Sequence, residues 1–136
     1  MSLPWTPVVA AALHRKDGRW LMHRRPEEKH HGGLWEFPGG KVEASEMPAQ
    51  SLVRELAEEL GIHCRPEDCV PAGFAESAGA EQDRALVILL YTLAAWEGEP
   101  HALEGGMTGW FTPDEVLALD KPPLDVALAA RLFRNR

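Results

Sequence analysis

Three carboxylates, Glu55, Glu58 and Glu59, stand at i, i+3 and i+4. At about 100° per residue they cover roughly a third of a helix circumference. Hard oxygen ligands gathered on one rigid helix suit Mg²⁺, which takes carboxylates together with the phosphate oxygens of a substrate. Crowding them has a cost. Glu55 and Glu59 are like charges at i,i+4, unfavourable by roughly 0.2–0.5 kcal/mol in an isolated helix, and the Arg54–Glu58 pair offsets only part of it. A plain solvated acidic face is the competing reading, and on composition alone it is the stronger one. Two details tilt the balance toward chemistry. Glu46 adds a carboxylate near the helix start, and Gly39-Gly40 allows a backbone carbonyl to approach an ion closely.

The helix expected to carry these groups runs from Ser45 to Leu60. Ser45 is a good capping residue, Glu46 suits the positive end, and Pro48 is tolerable in the first turn. Ala49, Leu52, Val53, Leu56 and Leu60 form one apolar stripe, and Gly61 stands where a left-handed terminator belongs. Around this helix the chain alternates. Val8–His14 reads as a buried strand, Lys16–Arg19 as a hairpin turn with Asp-Gly at its tip, and Trp20–Arg24 as the returning strand. Pro26–Gly33 reads as a polar loop, and Leu34–Val42 contains the bare Pro38-Gly39-Gly40 turn. Val70–Ser77 and Arg84–Trp96 are strands joined by a Gly/Asp-containing loop. Gly109–Phe111 is a short strand, Pro113–Leu119 a helical turn, and Leu124–Arg136 a last amphipathic helix. Strands and helices interleave, which predicts α/β layers.

Length and charge bound the function. A chain of 136 residues fits one domain, residues 1–136. Fourteen Lys and Arg against 21 Asp and Glu leave a net charge of −7, a poor basis for gripping a nucleic-acid polymer. A phosphate-bearing small molecule held through a metal ion stays open. Pro4 and Pro7 and the lack of a basic start argue against a signal peptide. The longest apolar stretch, 85–96, is too short to span a bilayer. Cys64 and Cys69 match no metal or redox spacing and read as reduced thiols. A cytoplasmic protein with no membrane partner is expected.

Taken together, Gly40, Glu46 and Arg54-Glu55-Leu56-Ala57-Glu58-Glu59-Leu60-Gly61-Ile62 resemble a complete Nudix box. The preceding stretch, Leu34 to Glu43, resembles the MutT-like branch, which hydrolyses nucleoside triphosphates to monophosphate and pyrophosphate. The resemblance implies a Nudix-type α/β/α sandwich with a mixed β-sheet and a loop–helix–loop catalytic motif. It implies Mg²⁺ as cofactor, with Mn²⁺ as a substitute. Its ligands would be Glu55, Glu58, Glu59, Glu104 and the Gly39 carbonyl. Catalytic roles fall to Glu55, Glu58, Arg54 and Glu104. Geometry leaves open which glutamate is the general base. Arg54 would orient glutamates, and Glu46 would support it.

For the substrate, the resemblance points to Arg25, at the end of the second strand, and to Lys41 in the signature stretch. Pro122-Pro123-Leu124-Asp125 resembles the segment that opens the last helix and faces the base. Aspartate there, as in pyrimidine-nucleotide hydrolases of the family, argues against strict 8-oxoguanine selectivity. A simple cap of the last helix is the other reading of Asp125. Phe37 and Phe74 could wall a base, though core packing is the commoner role. His30, with His31 beside it, could touch phosphate or base. The favoured reading is a hydrolase of oxidised or surplus (d)NTPs, such as 8-oxo-dGTP or CTP-type nucleotides, acting as monomer or homodimer. The alternatives are a Nudix hydrolase of ADP-ribose, diadenosine polyphosphate or a similar diphosphate, and a non-catalytic nucleotide-sensing domain.

Overall fold

The computed structural model describes residues 3–77 and 85–134. The expected loop between the two long strands, the strand start at Arg84 and the last two residues of the final helix lie outside the described residues. Two sheets form the frame. One has four strands: β1 (Trp5–Leu13), β4 (Gly39–Lys41), β5 (Val70–Glu76) and β6 (Ala85–Leu93), in the order β4-β1-β6-β5. It is mixed, since β1 runs parallel to β6 and antiparallel to β4. The other sheet has three antiparallel strands: β2 (Trp20–Arg24), β3 (Trp35–Glu36) and β7 (Met107–Phe111), in the order β3-β2-β7. The mixed sheet expected as a single body is thus accompanied by a second, smaller one.

The period-two alternation of β1 explains the layering. Val9, Ala11 and Leu13 face one core with Leu52, Leu56 and Leu60 of α1 (Pro48–Leu60). Ala10 and Ala12 face the other core with Leu128, Ala129 and Phe133 at α3 (Pro123–Leu132), where Val116 of α2 (Pro113–Ala118) joins them. A strand buried on both faces reads as the unbroken apolar run seen in the sequence. Helices therefore cover the four-stranded sheet on both sides, the α/β/α arrangement. Among the described residues no helix is long and apolar enough to cross a membrane.

Several boundaries move. Ser45 does not cap α1, which begins at Pro48 with Met47 extended before it. The residue preceding proline is driven out of the helical region, so the helix cannot extend back to Ser45. Gln50 instead accepts from the Met47 N–H at 2.8 Å. Gly61 ends the helix at φ 73°, as expected. Part of the anticipated Gly-Gly turn is strand: Gly39 and Gly40 pair with Ala10 and Val9. The sequence reading also missed the 3₁₀ turn Pro66–Asp68 that leads into β5.

Candidate active site

The three glutamates of α1 end in three different settings. Glu59 is buried at 8% exposure, and its Oε1 has no hydrogen-bond partner. Glu55 is partly buried against Gly40, where an added Cβ would collide with its carboxylate. Glu58 points outward with its side chain 51% exposed. Arg54 links the group. Its Nε and Nη2 take both oxygens of Glu46, at 2.8 and 3.0 Å, and its Nη1 reaches Glu55 and Glu58 at 3.1 and 3.0 Å. The same guanidinium donates to the Lys41 carbonyl, tying α1 to β4. That fork matches carboxylate geometry in a way a lysine could not. Arg54, with the Ser51 hydroxyl, holds the Glu46 carboxyl down at about 2.

Glu104 reaches this helix from a loop. The N–H groups of His101 and Leu103 donate to the carbonyls of Leu60 and Glu59. These are last-turn carbonyls that the helix cannot satisfy itself. Docking the loop there brings the Glu104 carboxylate within electrostatic reach of both Glu55 and Glu59. Burial, with the charges of Glu36, Glu104 and Glu55 around it, pushes Glu59 up to about 7, and His23 is the neighbour pulling it down. Burial likewise raises Glu55.

Two members of this cluster, His23 and Glu36, carried no assignment in the sequence. Register pairs His23 of β2 with Glu36 of β3. His23 is 5% exposed, with Nδ1 3.3 Å from Glu36 Oε2 and 3.6 Å from Glu59 Oε1. Its Nε2 meets the Gly105 carbonyl at 3.0 Å. Strand alternation was the available signal: Leu21 faces the α1 core while Trp20 and Met22 face the other. His23, two residues past Leu21, therefore points toward α1.

These groups line one cavity of about 230 Å³. Glu59, Glu104, Glu36 and His23 stand on its wall together with Gly39 and Gly40, and Arg25, Phe37 and Asp125 line it as well. Arg25 donates to Glu36 Oε1 at 3.1 Å and to the His30 carbonyl at 2.7 Å. Asp125 is 7% exposed and accepts from the Phe37 N–H at 3.1 Å. It does not cap its helix: Pro122 holds the cap position and Asp125 reaches across to another element. Burial pushes its carboxyl up to about 7.

Of the residues singled out from sequence, Gly39, Glu59, Glu104, Arg25, Phe37 and Asp125 thus line the cavity, with Glu55 behind Gly40. Glu58, Arg54, Lys41 and His30 are not on its wall. Lys41 and His30 are exposed, and His30 enters only through its carbonyl to Arg25. Phe37 is core as well as wall, at 3% exposure, whereas Phe74 is 49% exposed on β5 and does not line the cavity.

The donor set fits a divalent cation. Several carboxylates converge on a cleft whose buried Glu59 oxygen lacks a partner, and a hard cation would supply the positive charge that balances them.

Comparison with known proteins yields one consistent likeness. The NUDIX domain family matches residues 4–133. CTP pyrophosphohydrolase of Escherichia coli is 37% identical over 120 residues, covering 88% of this chain and 86% of that protein. The 8-oxo-dGTP diphosphatase of E. coli is 32% identical over 130 residues, covering 93% and 95% respectively. A solved MutT structure, from work on Aliivibrio salmonicida and Vibrio cholerae, superposes with a TM-score of 0.81 at 28% identity, covering 97% of this chain and 99% of that one.

Proposed function

The chain belongs to the NUDIX domain family, and from that premise we propose that it hydrolyses (d)NTPs to the monophosphate and pyrophosphate with Mg²⁺. The observation that carries this reading is the composition of one cavity: Glu59, Glu104 and the Gly39-Gly40 backbone together with Arg25, Phe37 and Asp125. The first group suits a metal-bound phosphate chain and the second a base. Glu55, Glu58, Glu59, Glu104 and the Gly39 carbonyl would hold the ion, with Mn²⁺ able to replace Mg²⁺. Such an ion would supply Lewis-acid chemistry, neutralising charge that develops on the phosphates and activating a water for attack.

The protein's own part is positioning. Arg54 fixes Glu55 and Glu58 relative to Glu46, so their carboxylates keep one geometry without a substrate. Arg25 is anchored to Glu36 and the His30 carbonyl at the cavity wall, and in this reading it would contact the nucleotide. Asp125 offers a buried carboxyl to the base edge. Ionised, it accepts from an exocyclic amino group; protonated, it also donates. The named relatives act on CTP and on 8-oxo-dGTP. Both are nucleoside triphosphates, and the proposed substrate is an oxidised or surplus member of that class. Free Cys64 and Cys69 suit a reducing compartment, the cytoplasm.

Pyrophosphate release over a panel of canonical and oxidised (d)NTPs tests this reading. Mg²⁺-dependent release from one or more of them is expected. Turnover of ADP-ribose or a dinucleoside polyphosphate with none of any triphosphate would overturn it.

A further inference from the structure

Beside the loop that carries Glu104, the same cavity holds a second, chemically different donor set. His23, Glu36 and Glu59 each offer one ligand atom, and the three atoms lie within 4.8 Å of one another. They come from β2, β3 and α1, so the fold brings them together from distant parts of the chain.

The imidazole is oriented as a metal-binding histidine is. Its Nε2 faces a carbonyl, the Gly105 oxygen at 3.0 Å, which can only accept. Nε2 therefore carries a hydrogen, and Nδ1 is turned toward two carboxylate oxygens, Glu36 Oε2 at 3.3 Å and Glu59 Oε1 at 3.6 Å. Metal-ligating histidines characteristically give their other N–H to a carbonyl or carboxylate in this way. Glu36 is oriented too, since Arg25 occupies its Oε1 and leaves Oε2 facing inward.

Glu59, common to both donor sets, supplies a second sign. The residue is 8% exposed, and the oxygen it aims into this cluster has no hydrogen-bond partner. An orphaned buried carboxylate oxygen is costly and wants a cation. The two spacings from His23 Nδ1, 3.3 and 3.6 Å, are close to the about 3.3 Å between two ligands of a tetrahedral ion with arms of about 2.0–2.1 Å.

We propose that His23, Glu36 and Glu59 form a binding site for a first-row transition-metal dication such as Zn²⁺, separate from the Mg²⁺ position and sharing the Glu59 carboxylate with it. The nitrogen donor sets its preference. Imidazole with two carboxylates suits Zn²⁺ or Co²⁺, while Mg²⁺ prefers an all-oxygen octahedron. The site needs no nucleotide, so it stands or falls apart from the substrate assigned above.

Zn²⁺ titrated calorimetrically into nucleotide-free protein with Mg²⁺ in excess is the first test. Wild type should bind one Zn²⁺ that Mg²⁺ does not displace, and His23→Asn should weaken it by about tenfold or more. Equal Zn²⁺ affinity in the two proteins would overturn the site. Anomalous diffraction at the zinc edge on wild-type crystals needs no variant. It should place zinc beside His23 Nδ1, and zinc found only at exposed histidines or only among Glu55, Glu58 and Glu104 would sink the proposal. Pyrophosphate release by Glu58→Gln is measured alongside. Loss of release with zinc binding retained separates the two assignments, and zinc binding lost with Glu58 would reduce the site to the Mg²⁺ position.

Discussion

Single side chains in and beside this cavity differ in what a substitution would reveal. Glu58 is half exposed and accepts one hydrogen bond, from Arg54 at 3.0 Å. An amide at that position keeps an acceptor oxygen for Arg54 and removes only the charge. Glu58→Gln should leave stability within about 0.5 kcal/mol of wild type while lowering kcat by orders of magnitude. Urea melts beside steady-state kinetics check both halves, and near-wild-type turnover would remove Glu58 from the metal set. Asp125 poses a different question, because its carboxyl is raised by burial from 3.8 to about 7. A raised carboxyl binds its proton more tightly in the folded state. Its contribution is therefore fully present below the unfolded value and fades as pH climbs through the folded one. Between about pH 4 and 7 that amounts to a loss on the order of 4 kcal/mol. Asn titrates nowhere in this range and can still accept from the Phe37 N–H. Asp125→Asn should thus gain stability relative to wild type as pH rises from 4 to 8. Parallel pH–stability curves for the two proteins would show that Asp125 ionises normally.

At the level of elements, the contact of β4 with α1 decides where Glu55 sits. Gly40 pairs with Val9 along the strand, and its missing side chain leaves the space that the Glu55 carboxylate fills. Gly40→Ala places a Cβ against the far end of a flexible side chain rather than against backbone. The fold should therefore tolerate it, with Glu55 pushed aside. We expect a small change in Tm and a marked fall in kcat, seen by thermal melts and single-turnover assays; full activity would show that Glu55 need not lie where it does. The same contact shows what could be read in advance. Glu55, Glu58, Glu59 and Arg54 were legible because one helix sets their spacing. His23 and Glu36 were not, because cross-strand register and the packing of β2 over α1 bring them together. Those are decided by long-range pairing, which local pattern does not encode. Arg54's grip on Glu46 was expected, whereas the start of α1 at Pro48 was displaced from Ser45 by proline's steric hold on Met47.

For the molecule as a whole, a net charge of −7 is a property of one place more than of the surface. Glu36, Glu55, Glu58, Glu59 and Glu104 gather along α1 and the cavity beside it, with Glu46 joined to Glu55 and Glu58 through Arg54. Folding without a cation must bring these charges together, and Glu59 meets that demand by retaining a proton up to about pH 7. Stability from that proton is present at acid pH and drains away as pH rises toward and past 7. A divalent cation held as proposed would act in the opposite sense, since it would bind the ionised cluster and the unfolded chain has no such cluster. Mg²⁺ should therefore stabilise the protein little at pH 5 and strongly at pH 8. With free Mg²⁺ at about 100 times its Kd the gain is about 2.7 kcal/mol. For a chain of this length that corresponds to a rise in Tm of roughly 10 °C. Glu59→Gln removes the buried charge, so it should melt no lower than wild type in EDTA at pH 8 and lose most of the Mg²⁺ increment. Calorimetric melts of both proteins at the two pH values, with Mg²⁺ and with EDTA, give the comparison. An increment of equal size at pH 5 and 8, or one that survives in Glu59→Gln, would mean that the cation stabilises the fold from somewhere other than this cavity.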